Sequence, residues 1–180
     1  MNNQGTSRRE EPGMLTGMFS DRESTESAYQ SLRDRGYSDD EINVMMSDAT
    51  RNKYYSDGDT ALEGNKALEG TGAGAAIGGT LGAIIGGIAA IGTNVLIPGL
   101  GLVVWGPIAA ALAGAGAGGL TGGLVGALIG WGIPEEQAKH YEEGIRNGGT
   151  VLGVTPKNTA DADYFENEWR TKYRGQHVYR

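Results

Sequence analysis

The 65-residue run from Gly70 to Pro134 contains no Asp, Glu, Lys, Arg or His. Within it glycine recurs at every fourth position, twice. Gly70, Gly74, Gly78, Gly82 and Gly86 run in register with Ala90, and Ala110 leads into Gly114, Gly118, Gly122, Gly126 and Gly130. Small residues at i, i+4 and i+8 leave a smooth groove along one helix face, which lets two backbones approach closely. Between the ladders lies TNVLIPGLGLVVWGP, Thr93 to Pro107, with Pro98 and Pro107 as helix breakers. The pattern predicts a long antiparallel glycine-zipper helical hairpin over residues 70–133, joined by an apolar tip.

Glycine in a water-exposed helix costs about 1 kcal/mol relative to alanine. Ten ladder glycines therefore need either close helix packing or a bilayer, where an unfolded backbone would leave its amides unsatisfied. The arms are long enough to span: a helix from Gly70 to Gly92 would measure roughly 34 Å and one from Pro107 to Gly132 slightly more, against a hydrocarbon core of about 30 Å. Trp105 near the tip and Trp131 near the base stand where interfacial aromatics are expected. Against a full span, the outer turns are rich in Gly, Ala and Thr, and the apolar density peaks between Leu81 and Leu112. The alternatives are a hairpin dipping into one leaflet and a soluble oligomer whose hairpins bury one another.

All 37 acidic and basic side chains, 15 Lys and Arg with 22 Asp and Glu, lie in two polar pieces flanking the charge-free run. A net charge of −7 leaves no phosphate-tracking basic surface, so nucleic acid is not expected as a partner. The absence of cysteine excludes disulfides and thiolate chemistry and is compatible with a reducing compartment. MNNQGTSRREEPG has no apolar h-region, and Arg8-Arg9 is followed by Glu10 and Glu11, so neither a secretion signal nor a twin-arginine signal is expected. Insertion would then come from the internal hairpin, with both polar pieces on one side, giving an inner-membrane protein with a cytoplasmic α/β domain. A cytoplasmic assembly is the alternative.

The polar pieces carry readable elements. Residues 1–13 read as a disordered tail. Met14 to Phe19 has β character, Ser20-Asp21 is a helix-capping signal, and a helix from about Arg22 to Arg35 places Thr25, Ala28, Tyr29 and Leu32 on one stripe before Gly36 ends it. Ile42, Val44 and Met46 alternate as in a strand. Residues 48–69 read as a polar, partly helical connector. Beyond the hairpin, Pro134 with Glu135 and Glu136 starts a helix carrying Ala138, Tyr141 and Ile145, which stops at Gly148-Gly149. Thr150 to Thr155 is a strand, and Asp161 to Tyr173 a helix with Phe165, Trp169 and Tyr173 at i, i+4 and i+8. Neither piece alone has enough apolar surface for a core. The expected fold is therefore α+β: one small α/β sandwich (β-α-β … α-β-α) assembled from residues 14–69 and 134–180, interrupted by the hairpin.

The run GMFSDRESTESAYQSLRDRGYSDDEINVMMS, within Met14 to Ser47, resembles the N-terminal domain of the heat-induced general stress protein family (YflT-like). The central stretch is similar to glycine-zipper hairpins of bacterial envelope and stress proteins, and IPEEQAKHYEEGIRNGGTVLGV resembles the segment following such hairpins in bacterial membrane proteins. The resemblance implies a bacterial stress-associated protein and supplies no catalytic residues.

Other motifs yield to simpler readings. Gly114-Ala-Gly116-Ala-Gly118-Gly119 satisfies the dinucleotide pattern GxGxxG, but glycines continue at fours for three more turns through Gly122, Gly126 and Gly130, which the ladder explains and the fingerprint does not. Glu136 and His140 at i and i+4 lack a third metal ligand. Asp57-Gly58-Asp59 and Asp39-Asp40-Glu41 read as turns and caps rather than a calcium loop. Phe165, Trp169 and Tyr173 read as core, with Arg170, Lys172, Arg174 and Arg180 making the one locally basic region. No catalytic residue, cofactor, metal or small-molecule substrate is assigned. The expectation is a non-enzymatic bacterial stress protein forming homo-oligomers through ladder-on-ladder packing in contact with lipid; the alternative is a soluble ring, shell or filament, and a pore lacks a polar lumen stripe.

Overall fold

The computed structural model describes residues 13–55, 95–97, 101–109, 123–130 and 132–180. The expected tail up to Pro12, the near glycine arm and all of the connector beyond Tyr55 lie outside these residues. The elements run β1 (Leu15–Phe19), α1 (Arg22–Asp34), β2 (Ile42–Ser47), α2 (Asp48–Tyr54), β3 (Val95–Ile97), β4 (Leu102–Trp105), α3 (Gly123–Gly130), α4 (Glu135–Arg146), β5 (Thr150–Val154), α5 (Thr159–Thr171) and β6 (Gln176–Tyr179).

Local chemistry explains most of these boundaries. Asp21 caps α1 by accepting the Ser24 N–H at 2.8 Å, and Gly36 closes the helix at φ 85° while the Tyr37 N–H returns to the Leu32 carbonyl. Ser47 ends β2 and caps α2, accepting the Thr50 N–H at 3.0 Å. Asn158 caps α5 through the Asp161 N–H at 2.8 Å.

The six strands form one antiparallel sheet in the order β3-β4-β2-β5-β1-β6. β5 lies between β1 and β2, and β1 lies between β5 and β6. The β1-α1-β2 and β5-α5-β6 units are therefore interleaved split β-α-β units, the ferredoxin-like arrangement. Both polar pieces contribute strands to one α+β fold. The expected β-α-β unit does not pair its own strands, because a strand from the other end of the chain separates them.

Alternation sorts the side chains onto two faces. Leu15, Phe19, Val44, Met46, Val103, Trp105, Leu152 and Val154 join Tyr29 and Leu32 of α1 and Phe165 and Trp169 of α5 in one core. Met18, Met45, Leu102, Val104 and Val151 meet Ile108, Leu124, Leu128, Ile133, Tyr141 and Ile145 in the other. Because both faces are covered, all five residues of β1 and of β5 are buried. Gly17 admits α5 to the first face: a Cβ there would stand 2.8 Å from Trp169 Cε3.

The link between the ladders corrects the expectation of a free apolar tip. Val95–Ile97 and Leu102–Trp105 are strands, and β4 pairs with β2 from Val44↔Trp105 to Ser47↔Leu102. Trp105, expected at a membrane interface, is 1% exposed inside the first core. A single straight far arm is also overturned. At 1.5 Å per residue it would hold Ile108 and Leu128 about 30 Å apart, yet both line one cavity of about 10 Å³, and Gly123 at φ 63° departs from helical backbone. No helix among the described residues is long and apolar enough to cross a membrane.

Candidate functional site

Among the described residues, the charge-free run meets the folded domain at the 107–109 turn and at α3, and three features mark these contacts. The first is a buried asparagine in the middle of an apolar strand. Asn43, 6% exposed, accepts the Ile108 N–H on Oδ1 at 2.9 Å and donates from Nδ2 to the Gly153 carbonyl at 3.3 Å. Ile108 belongs to the helical turn at 107–109, where Pro107 carries no N–H and the Ala109 N–H bonds the Gly106 carbonyl at 2.9 Å, leaving the Ile108 N–H without a partner in the turn. Asn43 satisfies it from the neighbouring strand β2. The second is Gly106 at φ 89°: a Cβ there would overlap the Ile42 carbonyl oxygen and stand 2.9 Å from Asn43 Cα. Only glycine takes the chain out of β4 this close to β2.

The third feature is the two-sidedness of α3. Leu124 and Leu128, one turn apart, are 3% and 1% exposed against the second face of the sheet. Positions two residues on lie about 200° round the helix, so Gly126 and Gly130 face the other way, and no described atom comes within 4 Å of a Cβ built at either. Ile129 beside them is 42% exposed. The helix ends at Gly132, φ 86°, where the Ile133 N–H bonds the Leu128 carbonyl at 3.1 Å. Ile133 then folds into the second core and Pro134 stands at the N-cap of α4. α3 and α4 thus form a helical hairpin on the sheet, with Gly126 and Gly130 on its outer flank.

Of the residues expected to pack helices, Gly126 and Gly130 stand on this flank. Gly70, Gly74, Gly78, Gly82, Gly86, Gly114, Gly118 and Gly122 lie outside the described residues, as does Trp131, and so do Asp57-Gly58-Asp59 and the GxGxxG run. Sequence reasoning missed Asn43 and Gly106. Their signals were a lone amide within the apolar strand INVMMS and a Gly-Pro step after LVVW.

The remaining polar motifs are engaged within the fold. Asp39 accepts the Tyr29 hydroxyl at 2.6 Å and pairs with Arg33 at 3.1 Å. Glu41 accepts both the backbone N–H and the hydroxyl of Ser38 at 2.8 Å, and the Ser38 N–H above all holds its carboxyl below the ordinary range. Phe165 and Trp169 are buried, with Tyr173 packed against the same core. Arg170, Lys172, Arg174 and Arg180 pair with Glu166, Glu168, Asp21 and Asp163 respectively, so the basic stretch is locally neutralised. His140 stacks on His177. Among the described residues no three His, Cys, Asp or Glu side chains gather as a metal site, and the cavity under Asn43 has room for at most about one water. What this region offers chemically is a helix surface. Compared with known proteins, the chain matches no family model, no curated protein and no solved structure.

Proposed function

We propose that this chain is a non-enzymatic bacterial general stress-response protein that self-associates through its glycine ladder. The observation that carries the reading is the opposition of leucines and glycines on α3. Leu124 and Leu128 hold the helix to the sheet, while Gly126 and Gly130 turn outward. An outward glycine costs the isolated chain about 1 kcal/mol of helix propensity. A second helix approaching at glycine distance is the arrangement that offsets this cost, and a further copy of the chain carries the complementary surface. The bacterial and stress-related parts of the proposal rest on the resemblance of Met14 to Ser47.

The setting proposed first from the sequence is the inner membrane, with the hairpin in or on the lipid and the α/β domain in the cytoplasm. The link favours the second setting, a soluble assembly in which copies bury one another's ladders, because β3 and β4 are paired into the sheet and are not displayed as a tip.

Light scattering on protein purified without detergent tests the contact. Gly126→Leu and Gly130→Leu should each reduce the particle mass while the far-ultraviolet circular dichroism stays unchanged, since no described atom lies within 4 Å of a Cβ at either position. Alanine at either position should raise the stability of dilute protein by about 1 kcal/mol. Unchanged mass in both leucine variants sinks the proposal. Retention of the full chain in carbonate-washed membranes would select the membrane setting.

A further inference from the structure

The C-terminal strand has a short and irregular ladder. β6 pairs at the sheet edge with β1 alone, through Thr16↔Tyr179 and Met18↔Gln176 with an irregularity between them. Of its four residues only Val178 is buried. Arg174 at φ 54° and His177 at φ 49° hold left-handed backbone that non-glycine residues rarely adopt. The strand is secured by side chains. Tyr141 Oη donates to the His177 carbonyl at 2.8 Å, Gln137 Nε2 donates to the same oxygen, and Arg170 donates to the Val178 carbonyl at 2.6 Å. The His177 ring lies flat on His140 of α4, with centroids 4.2 Å apart and planes 11° from parallel. These are the two histidines of the chain.

Parallel stacked imidazoles point their nitrogen lone pairs side by side, so the pair does not converge on one metal ion. It is suited to titration. Two neutral rings, or one neutral and one charged, can stack; two imidazolium rings at this distance repel. We propose that the His140–His177 stack is an acid-sensitive latch, closed while at most one ring is charged, whose double protonation frees β6 and bares the outer edge of β1.

The surroundings set the direction of the effect. Burial, and then the neighbouring His140, push His177 below the ordinary histidine range, and Glu143 opposes them. On α4, Glu136 and Glu143 flank His140 at i−4 and i+3, and Lys139 is paired with Glu135. α5 contributes Arg170, already bonded to β6, and β6 itself contributes Tyr179, with Arg180 paired to Asp163. β1 and α3 contribute no titratable group. The closed pair therefore binds fewer protons than the open one below about pH 6.5, and opening becomes favoured as pH falls.

With only two histidines, the ring signals of the full chain can be followed by carbon-labelled NMR from pH 8 to 4. Two separated steps are expected, the lower belonging to the closed stack, and His140→Gln should move the His177 step upward. Amide exchange at 176–179, corrected for its intrinsic pH dependence, should accelerate by at least about fivefold between pH 7 and 5, the factor for two unit charges about 4 Å apart in water. His140→Phe keeps an aromatic partner without the charge and should suppress that acceleration. Equal acceleration in His140→Phe, or two superimposed ordinary histidine titrations, overturns the proposal.

Discussion

Replacing Asn43 with alanine tests whether the link between the ladders is part of the folded domain. The substitution removes the acceptor of the Ile108 N–H, a bond of 2.9 Å in a buried setting. A buried donor left without a partner costs about 1–3 kcal/mol. The second bond, to the Gly153 carbonyl at 3.3 Å, is at the long end of the range and adds little. The lost side-chain atoms also enlarge the neighbouring cavity of about 10 Å³, worth about 1 kcal/mol more by the cost per unit of cavity volume. The sum is about 2–4 kcal/mol. For a chain of this size it corresponds to a fall in Tm of about 4–16 °C. Urea unfolding monitored by near-ultraviolet circular dichroism is the suitable assay, because Trp105 sits one residue before Gly106 and reports the same junction. The midpoint should fall with an unchanged slope. Asn43→Asp sharpens the test: a protonated carboxyl can accept from Ile108 and donate to Gly153 as the amide does, whereas the buried anion cannot donate and meets a carbonyl. Its defect should shrink as pH falls through the raised pKa of the new acid. A loss below about 0.5 kcal/mol for Asn43→Ala, the range of an ordinary surface change, would refute the account of the link.

Gly17→Ala should cost about 1–3 kcal/mol by wedging a methyl against the Trp169 ring, 2.8 Å away; a neutral result by chemical denaturation would mean that α5 can move off the sheet freely. Asp161 gives the pH dependence of the opposite end. Burial pushes its carboxyl up, but the Arg35 guanidinium, the Tyr37 hydroxyl and the Asn158 amide together hold it below the ordinary range. A depressed carboxylate contributes stability that is present above its unfolded value near 3.8 and lost as pH falls through its folded one. Stability measured from pH 5 to 2 should therefore fall less steeply in Asp161→Asn than in the parent, and identical slopes would contradict the assignment.

Elements with a local chemical signature were legible. Asp21 and Gly36 bound α1, the alternation of Ile42, Val44 and Met46 marked β2, and Pro134 and Gly148-Gly149 bracketed α4. The link strands were not legible, because LVVW is apolar throughout. A strand covered on both faces shows no alternation, and the surrounding charge-free sequence gave no contrast against which to read it. α2 is a helical part of the expected connector, and its start is hard to place from sequence because Ser47 serves at once as the last residue of β2 and the cap of α2. β6 carries one buried residue in four, too little for a pattern. The candidate site is legible from one side only. The four-residue period of Gly126 and Gly130 stands out against the charge-free run, whereas the same period in Leu124 and Leu128, which turns the glycines away from the sheet, has no contrast among equally apolar neighbours.

That opposition constrains how the ladder can act. A helix seated by Leu124 and Leu128, closed by Gly132 and followed directly by α4, has little freedom to roll its glycine face toward or away from a partner. Docking on it would be a rigid-body event, with the helix already formed and the ordering cost already met in the monomer. A free hairpin would have to order both arms as it bound. The same seating limits the alternatives: driving α3 into lipid along its axis would withdraw Leu124 and Leu128 from the second core and leave Met45, Val104 and Ile108 uncovered on the sheet. Lipid contact through the flank that carries Gly126 and Gly130 needs no such sacrifice, nor does packing against another copy. The observable that separates them is whether a particle forms without detergent.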